Sequence, residues 1–582
     1  MKKLKYPASL VLMLVLFGST SIASGAQGQY EVTWRVPFDQ KAQAEFTTWP
    51  SLFPGGKAFT GVLPVCSQGI VEDCLKSVEY KNPSGDWLLG KFVSYFPIEQ
   101  DFVTQPGKVL YPNVGNALPV NPVTPSKMPP LARSSVWQFP SITHSLGNDF
   151  LVAFWIFGNG DDATGPEPGP NIRASVQPMR AYSERATPEK IAELSRYAGL
   201  ADEPNEQTIC YYQGEDVTKY CIERGEFTQL APIRMTLQLK IFSKLFWSVG
   251  GWLTTRVSDP QIKVQDDPLG TRVVQLTGTP VTLASGQTTM PATVENYILG
   301  RKILNYAYKQ AWPNSNSPEF DLADTSCFNP LPQNYVQECS AYKFRSIAGS
   351  YPSAAKESFF LWQELSKLAP IVPINKNVAW SFSTSGSTID PYTIACLRVN
   401  QIKDGATDSP NGYIASNATI IDPNPASWDA DNQSLNFSIA SIVNQTSNDG
   451  DTQFYELNIK EALGKCLWKV DLSQAQVQIQ IFNTGTEQLQ RVETTSLFKQ
   501  GDYLKFKVSG INVSSSVIRV KLLGAPITTG ETVTDAPEVA SAPKIKKIQT
   551  KTILCVKGRV SKKVVGTKPT CPRGYTLNIK RK

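Results

Sequence analysis

The sequence contains a single histidine, His144, among 582 residues. A Ser/His/Asp catalytic triad would have to use this residue, and no Gly-x-Ser-x-Gly motif supplies the serine. No Cys-x-x-Cys pair occurs, which together with the lone histidine argues against Cys/His zinc sites. We therefore expect His144 to be an ordinary loop residue rather than a catalytic one.

Several other features of common protein classes are also missing. The chain has no phosphate-binding Gly-Lys loop, no dinucleotide-binding glycine motif and no recognisable nucleic-acid-binding module. The apolar stretch 233–253 carries Arg234, Lys240 and Lys244, so it does not qualify as a membrane span. A sortase-type Leu-Pro-x-Thr-Gly motif is absent as well. We expect no nucleic-acid partner and no transmembrane segment after signal cleavage.

The composition that is present favours a β-rich extracellular protein. Hydrophobic residues make up 41% of the chain, which excludes wholesale disorder. The 42 prolines and 39 glycines are too many for a helical protein. The sequence predicts a mainly β, multidomain chain with antiparallel β-sandwich-like domains, a few short helices and a small disulfide-stapled basic tail.

The N-terminus has the organisation of a secretory signal peptide. Lys2, Lys3 and Lys5 precede the short apolar run 10–17, and small residues lead to Ala26. A basic start, a short apolar run and a small-x-small site are typical of a cleaved signal over 1–26. We expect a secreted protein that is extracellular or associated with the cell surface.

The ten cysteines are consistent with export, because an even number in a secreted chain favours disulfides. Sequence does not fix the connectivity, and pairing between neighbours along the chain is the simplest hypothesis. The predicted pairs are Cys66 with Cys74, Cys210 with Cys221, Cys327 with Cys339, Cys396 with Cys466, and Cys555 with Cys571.

Charge is divided unevenly along the chain. Residues 544–582 contain thirteen Lys and Arg and no acidic residue, whereas 27–543 hold 41 basic against 50 acidic residues. A basic tail of this kind would be attracted to a polyanion, and outside a cell a wall polymer or membrane surface is favoured over nucleic acid. The predicted envelope-binding residues are Lys546, Lys547, Lys557, Arg559, Lys562, Lys563, Lys568 and Arg573.

Turn signals and hydrophobic patterns predict the domain organisation. Alternating apolar residues, such as Leu435, Phe437 and Ile439, predict a β-sandwich over 376–524. A helical stripe through Phe359 and Trp362 lies in the preceding region. The predicted divisions are a signal peptide at 1–26, a β-rich domain at 27–181, a mixed β domain with helices at 182–375, the sandwich at 376–524, a linker at 525–543 and a basic disulfide hairpin at 544–582.

An acidic loop follows a very apolar strand and is the main candidate for chemistry. Asp161 and Asp162 provide the hard oxygen ligands that calcium prefers, or they could be one half of a glycosidase carboxylate pair. A solvated turn is the favoured interpretation, so we expect no cofactor, with calcium as the alternative. The aromatic residues allow a carbohydrate partner, although core packing usually explains them.

The C-terminus resembles a signature of secreted actinobacterial proteins, CVKGK…KKV…KPKCPAGYK. The matching segments here are 553–558, 562–564 and 568–575, and residues 576–579 intervene before the final basic run. The preceding sandwich region and the segment 251–260 are also similar to such proteins, so the likeness covers about 230–582. The resemblance implies an envelope location and β architecture, and it transfers no catalytic residue.

These observations favour a secreted, envelope-associated structural or binding protein whose ligand is not specified by the sequence. The basic tail would hold it to an anionic wall. The alternative is a polysaccharide-active hydrolase that uses paired carboxylates, with Asp161 or Asp162 as one member. An enzymatic role is the less favoured hypothesis.

Overall fold

The computed structural model describes residues 29–35, 58–67, 69–95, 132, 134–161, 165–166, 170–185, 202–205, 208–213, 218–244, 251–267, 270–291, 299, 302–303, 345–347, 352–384, 390–404, 409–422, 424–442, 453–473, 475–484, 488–511, 515–525, 551–557, 560–566 and 576–577. The fold is mainly β and contains several sheets, as predicted. The chain divides into two compact units, Met1–Thr528 and Thr529–Lys582.

Strands dominate the first half of the chain. They are β1 Gln29–Arg35, β2 Ala58–Val62, β3 Cys74–Lys81, β4 Trp87–Leu89, β5 Lys91–Tyr95, β6 Ser135–Gln138, β7 Asp149–Asp161, β8 Gly165–Pro166, β9 Asn171–Arg185, β10 Asp202–Asn205, β11 Thr208–Gln213, β12 Thr218–Arg224, β13 Ile233–Leu239, β14 Trp252–Thr255, β15 Val257–Asp266 and β16 Arg272–Pro291. A short 3-10 turn at Ile241–Lys244 follows β13.

The second half adds further strands and three helices. The strands are β17 Arg345–Ile347, β18 Val372–Thr384, β19 Gly412–Ser416, β20 Ile420–Ile421, β21 Ser427–Asp429, β22 Ser434–Ala440, β23 Gln453–Lys460, β24 Gln476–Asn483, β25 Leu489–Ser496, β26 Phe498–Gln500, β27 Tyr503–Ile511, β28 Ser515–Leu523, β29 Lys551–Lys557, β30 Val560–Gly566 and β31 Thr576–Leu577. The helices are α1 Pro352–Leu365, α2 Pro391–Asp404 and α3 Glu461–Trp468.

Most strands of the first unit belong to one hydrogen-bonded network. Successive pairings run from β6 through β7, β9, β18, β14, β19 and β23 to β27. All of these pairs are antiparallel except β14 with β19. The twenty-residue strand β16 pairs with β13 and β15 through its first half and with β18 and β1 through its second. One apolar core contains residues from β7, β9, β13 and β16, including the fully buried Phe154 and Met235.

A second sheet is formed by the strands β20, β22, β28, β24 and β25, with β21 beside β22. The middle of β22 alternates, so that Leu435, Phe437 and Ile439 are buried while Asn436 and Ser438 are partly exposed. The buried face shares a core with β19, β23 and β27, and Phe437 stacks on Tyr455 of β23 at 5.5 Å between ring centroids. The predicted alternation therefore identifies the packed face of this sheet correctly.

The helices cover edges of these cores. The predicted stripe in α1 is confirmed, because Phe359, Trp362 and Leu365 are buried in a cluster with Ile420 and Ile442. α2 begins at Pro391, and the Asp390 side chain before it accepts hydrogen bonds from the N–H and hydroxyl of Thr393, which is an N-terminal cap. The predicted Cys396–Cys466 disulfide is present, and it joins α2 to α3.

Two of the predicted domain borders lie inside strands. The border at 181/182 falls within β9, and the border at 375/376 falls within β18. β9 pairs with β7, β12 and β18, and β18 also pairs with β16 and β14, so the pairings of both strands extend into neighbouring predicted domains. The sheet is thus continuous across both positions. Apolar alternation marks the strands in a sequence but carries no record of which strands pair.

Candidate functional site

A cluster of charged and amide side chains lies on the two neighbouring strands β23 and β27. Glu456 and Asn458 are on β23, and the antiparallel register places them opposite Lys507 and Lys505 of β27, respectively. Because side chains alternate along a strand, these four project from the same face of the sheet. The intervening residues Tyr455 and Leu457 belong to the core on the other face. Polar residues thus occupy one face of a strand whose other face is apolar.

The contacts within this cluster are short. The Lys505 Nζ lies 2.9 Å from a Glu456 carboxylate oxygen and 3.1 Å from the Asp259 carboxylate on β15. The Asn458 amide donates a hydrogen bond of 3.0 Å to the same Glu456 oxygen, Oε1, that Lys505 contacts. Lys507 reaches Asp259 at 2.9 Å and Glu456 at 3.6 Å. Glu456 is therefore the acceptor shared by the lysine amine and the asparagine amide.

Burial distinguishes the members of the cluster. Glu456 and Asn458 are fully buried, the Lys505 side chain is 11% exposed, and the Asp259 side chain is 59% exposed. Tyr413 and Tyr503 pack against each other in the adjoining core, with ring centroids 5.0 Å apart, and burial raises the pKa of both phenols. The inner end of the cluster is accordingly dry and aromatic, and Asp259 marks its outer end.

Electrostatics favour the charged forms of Lys505 and Asp259. Burial alone would lower the pKa of Lys505, but Glu456 and Asp259 outweigh it and raise that pKa. Partial burial likewise opposes ionisation of Asp259, yet hydrogen bonds from Lys507 and Lys505 hold its pKa below the ordinary value. Within this cluster, two buried oxygens accept no hydrogen bond from the described residues, Oδ1 of Asn458 and Oε2 of Glu456. The cluster thus brings an amine, a carboxamide and a carboxylate together away from water.

None of these residues was predicted from the sequence. The usable signal was the strand 453–460, in which Glu456 and Asn458 interrupt an otherwise apolar segment at the period of a β-strand. A buried acid and amide on one strand face call for partners, because isolated buried polar groups are costly. Their partner Lys505 is 47 residues further along the chain from Asn458, and only the sheet register identifies it.

The single histidine is a structural residue of the turn between β6 and β7. The His144 Nε2 lies 2.7 Å from the Asp149 carbonyl oxygen, and its Nδ1 accepts a hydrogen bond of 3.2 Å from the Leu146 N–H. The ring packs edge-on against Phe150 and is 6% exposed. Burial lowers the pKa of His144, so the neutral form with its proton on Nε2 fits this turn. These contacts assign it to the turn rather than to a catalytic group.

Part of the predicted acidic loop lies outside the described residues. Asp161 is the last residue of β7, and Asp162 lies outside the described residues. Within the part of the chain that the structure describes, no three His, Cys, Asp or Glu side chains form a group suited to a metal ion. The calcium and glycosidase hypotheses at Asp161 and Asp162 therefore remain predictions.

Two of the five predicted disulfides are present in the described residues. Cys66 bonds to Cys74 at the start of β3, and Cys396 bonds to Cys466. The register of β11 and β12 places Cys210 directly opposite Cys221. Cys555 lies in β29, whereas Cys327, Cys339 and Cys571 lie outside the described residues.

The predicted envelope-binding residues lie in and around the C-terminal sheet. Lys557 ends β29, and Lys562 and Lys563 lie in β30 opposite Cys555 and Leu554. The other predicted residues fall outside the described part of the chain, namely Lys546, Lys547, Arg559, Lys568 and Arg573.

No protein-family model, no curated protein and no solved structure matches this chain. Of the helices that the structure describes, none has the length and apolar character needed to cross a membrane. The assignment of a function therefore rests on the residues themselves.

Proposed function

We propose that this is a secreted, cell-envelope-associated structural or binding protein, held to an anionic wall polymer by its basic C-terminal unit. The observation that carries the proposal is that the thirteen basic residues of 544–582 fall within a compact unit of its own. The resemblance of this segment to the C-terminal signature of secreted actinobacterial proteins supports the same location.

The backbone of this unit favours a concentrated positive charge. β29 and β30 form an antiparallel pair over seven residues each, and β31 adds a third strand beside β29. Neighbouring strands lie about 4.8 Å apart, so lysines on them are held closer together than in an extended tail. With no acidic residue between 544 and 582, this positive charge is not offset locally. A polyanion is the natural ligand for such a surface.

Attachment of this kind is sensitive to salt. The Debye length falls from about 10 Å at 0.1 M salt to about 3 Å at 1 M, which screens contacts between exposed charges. We expect residues 27–582 to cosediment with cell walls at low salt and to be released at high salt, and a version ending at 543 to remain in the supernatant throughout.

A charge-neutral variant of the full chain tests the same point without truncation. Replacing Lys557, Lys562, Lys563 and Lys568 with Gln should lower the retained fraction several-fold at 0.1 M salt. The matched control places Gln at four exposed lysines of the first unit, Lys76, Lys91, Lys263 and Lys302, and should sediment like the unmodified protein. If the fraction that sediments with the walls changes neither with salt nor with the tail substitutions, the first unit recognises the wall instead.

A further inference from the structure

We propose that Lys505 and Asn458 become joined by an intramolecular isopeptide bond, with Glu456 as the catalytic residue that carries the protons. The bond would link the side chains of β27 and β23 across the sheet. It is a modification of the chain by itself, and it requires no cofactor, metal or second protein.

The register brings the reacting groups together. Lys505 and Asn458 are directly opposite each other on the antiparallel pair β23 and β27, where the Cβ atoms of facing residues are about 5 Å apart. The Lys505 Nζ and the Asn458 Nδ2 both lie within 3.0 Å of Glu456 Oε1. A fixed geometry of this kind replaces an encounter between free reactants, which is a large part of the barrier to amide formation.

The surroundings suit attack by an amine on an amide. Glu456 and Asn458 are fully buried, and the aromatic pair Tyr413 and Tyr503 adjoins them. Exclusion of water favours aminolysis over hydrolysis of the side-chain amide. The Asn458 Oδ1, where negative charge develops during attack, accepts no hydrogen bond from the described residues. No existing hydrogen bond to this oxygen therefore has to be broken as Cγ becomes tetrahedral.

Each step balances within the three side chains. The Lys505 ammonium gives one proton to the Glu456 carboxylate, and the neutral amine attacks Cγ of Asn458. A bond forms between Nζ and Cγ, and the bond between Cγ and Nδ2 breaks. Glu456 passes a proton to Nδ2, and the second proton released from Nζ leaves with the departing nitrogen as an ammonium ion. Glu456 ends as the carboxylate it was at the start.

The geometry also selects which lysine and which acid react. Lys507 lies opposite Glu456 rather than opposite an amide, and its side chain is 39% exposed. Asp259 contacts both lysines, but no hydrogen bond joins it to Asn458 among the described contacts. Lys505 is the less exposed of the two lysines, and the fully buried Glu456 contacts both Lys505 and Asn458.

The test is peptide mapping of the full chain with its disulfides kept intact until digestion. We expect a branched peptide that contains both Lys505 and Asn458 and is lighter by about 17 Da, the mass of ammonia, than its two parts. The intact mass alone is not sufficient, because an N-terminal Gln27 left by signal cleavage loses ammonia when it cyclises. Tandem mass spectrometry of the branched peptide places the loss at the cross-link.

Variants separate the roles of the two side chains. Lys505→Arg and Glu456→Gln should each abolish the branched peptide and lower the thermal midpoint of the protein. Lys499→Arg is the matched control, because Lys499 lies on the adjacent strand β26 and pairs with an acid, Glu461, at 2.8 Å. It should leave the branched peptide at the unmodified yield.

If digestion of the protein without substitutions yields separate peptides around Asn458 and Lys505 that are not cross-linked, the proposal is overturned, whatever the variants show. Full yield of the branched peptide in Glu456→Gln would overturn the assignment of Glu456 as the proton carrier.

Discussion

At the scale of single residues, two buried polar side chains form hydrogen bonds to the backbone of segments that are distant in sequence. Asp73, at a backbone φ of 50°, accepts hydrogen bonds from the backbone N–H groups of Lys240, Ile241 and Phe242. Arg256 donates to the carbonyl oxygens of Ser416, Ala418 and Thr419, and burial together with Arg173 lowers its pKa to about 9. A polar group that is buried without a partner costs free energy. Asp73 and Arg256 therefore favour the arrangement in which their segments lie against residues 240–242 and 416–419, respectively.

The turn of His144 predicts an acid-sensitive fold. Burial lowers the pKa of His144 in the folded protein, so its contribution to stability is present above the pKa of the unfolded chain, about 6.5, and is lost as the pH falls below that value. His144→Gln, which can still donate and accept in the turn, should remove the part of the decline between pH 7 and pH 5.5. Urea titrations at a series of pH values measure this effect.

The chain offers a clean background for that experiment, since it has no other histidine. If the unmodified protein and His144→Gln lost stability in parallel over this range, groups other than His144 would be responsible.

At the scale of elements, alternation in the sequence predicted the strands well and the helices only in part. β22, β24, β27 and β28 follow their apolar period, because one face of each is buried. α3 has only eight residues, too few for a stable isolated helix. It is held by the disulfide at Cys466, by packing of Trp468 against Trp428 at 5.4 Å between ring centroids, and by other contacts that arise only after folding. The Glu456 cluster was beyond prediction for the same reason, since it depends on strand register.

The disulfide between α2 and α3 should contribute more to stability than the one at β3. Cys396 and Cys466 close a loop of 70 residues, whereas Cys66 and Cys74 close a loop of 8. In the chain-entropy model these loops correspond to about 4 and about 2.5 kcal/mol, respectively. Paired Cys→Ala variants of each bridge, compared by chemical denaturation, measure the difference, and an equal or reversed order would contradict it.

At the scale of the whole molecule, strands of the first unit pair with one another across two of the predicted domain borders. β9 and β18 run across the predicted borders, and β14 pairs with β18 on one side and β19 on the other. Removing any of the three segments would expose unpaired strand edges and part of a shared core. Trp252 of β14, for example, is buried in the same cluster as Leu435 and Phe437 of the second sheet.

A fragment of residues 376–524 should therefore not fold cooperatively by itself. It lacks β14, so β19 loses its parallel partner and the shared core loses Trp252. We expect a broad thermal transition and rapid proteolysis, compared with a single sharp transition for residues 27–524. A sharp transition of the short fragment at the same midpoint would restore an independent domain at the predicted border.

The pairing of β1 also limits how early the fold can be completed. β1 is among the first described residues, and its backbone partners are residues 286–291 of β16 and residues 345–347 of β17. During synthesis from the N-terminus, more than 250 further residues must be made before β1 can form its backbone hydrogen bonds with β16. Contacts so distant in sequence slow folding. Until then β1 has unpaired backbone groups that can pair with another chain. Because such pairing leads to aggregation, we expect the refolding yield to fall steeply with protein concentration.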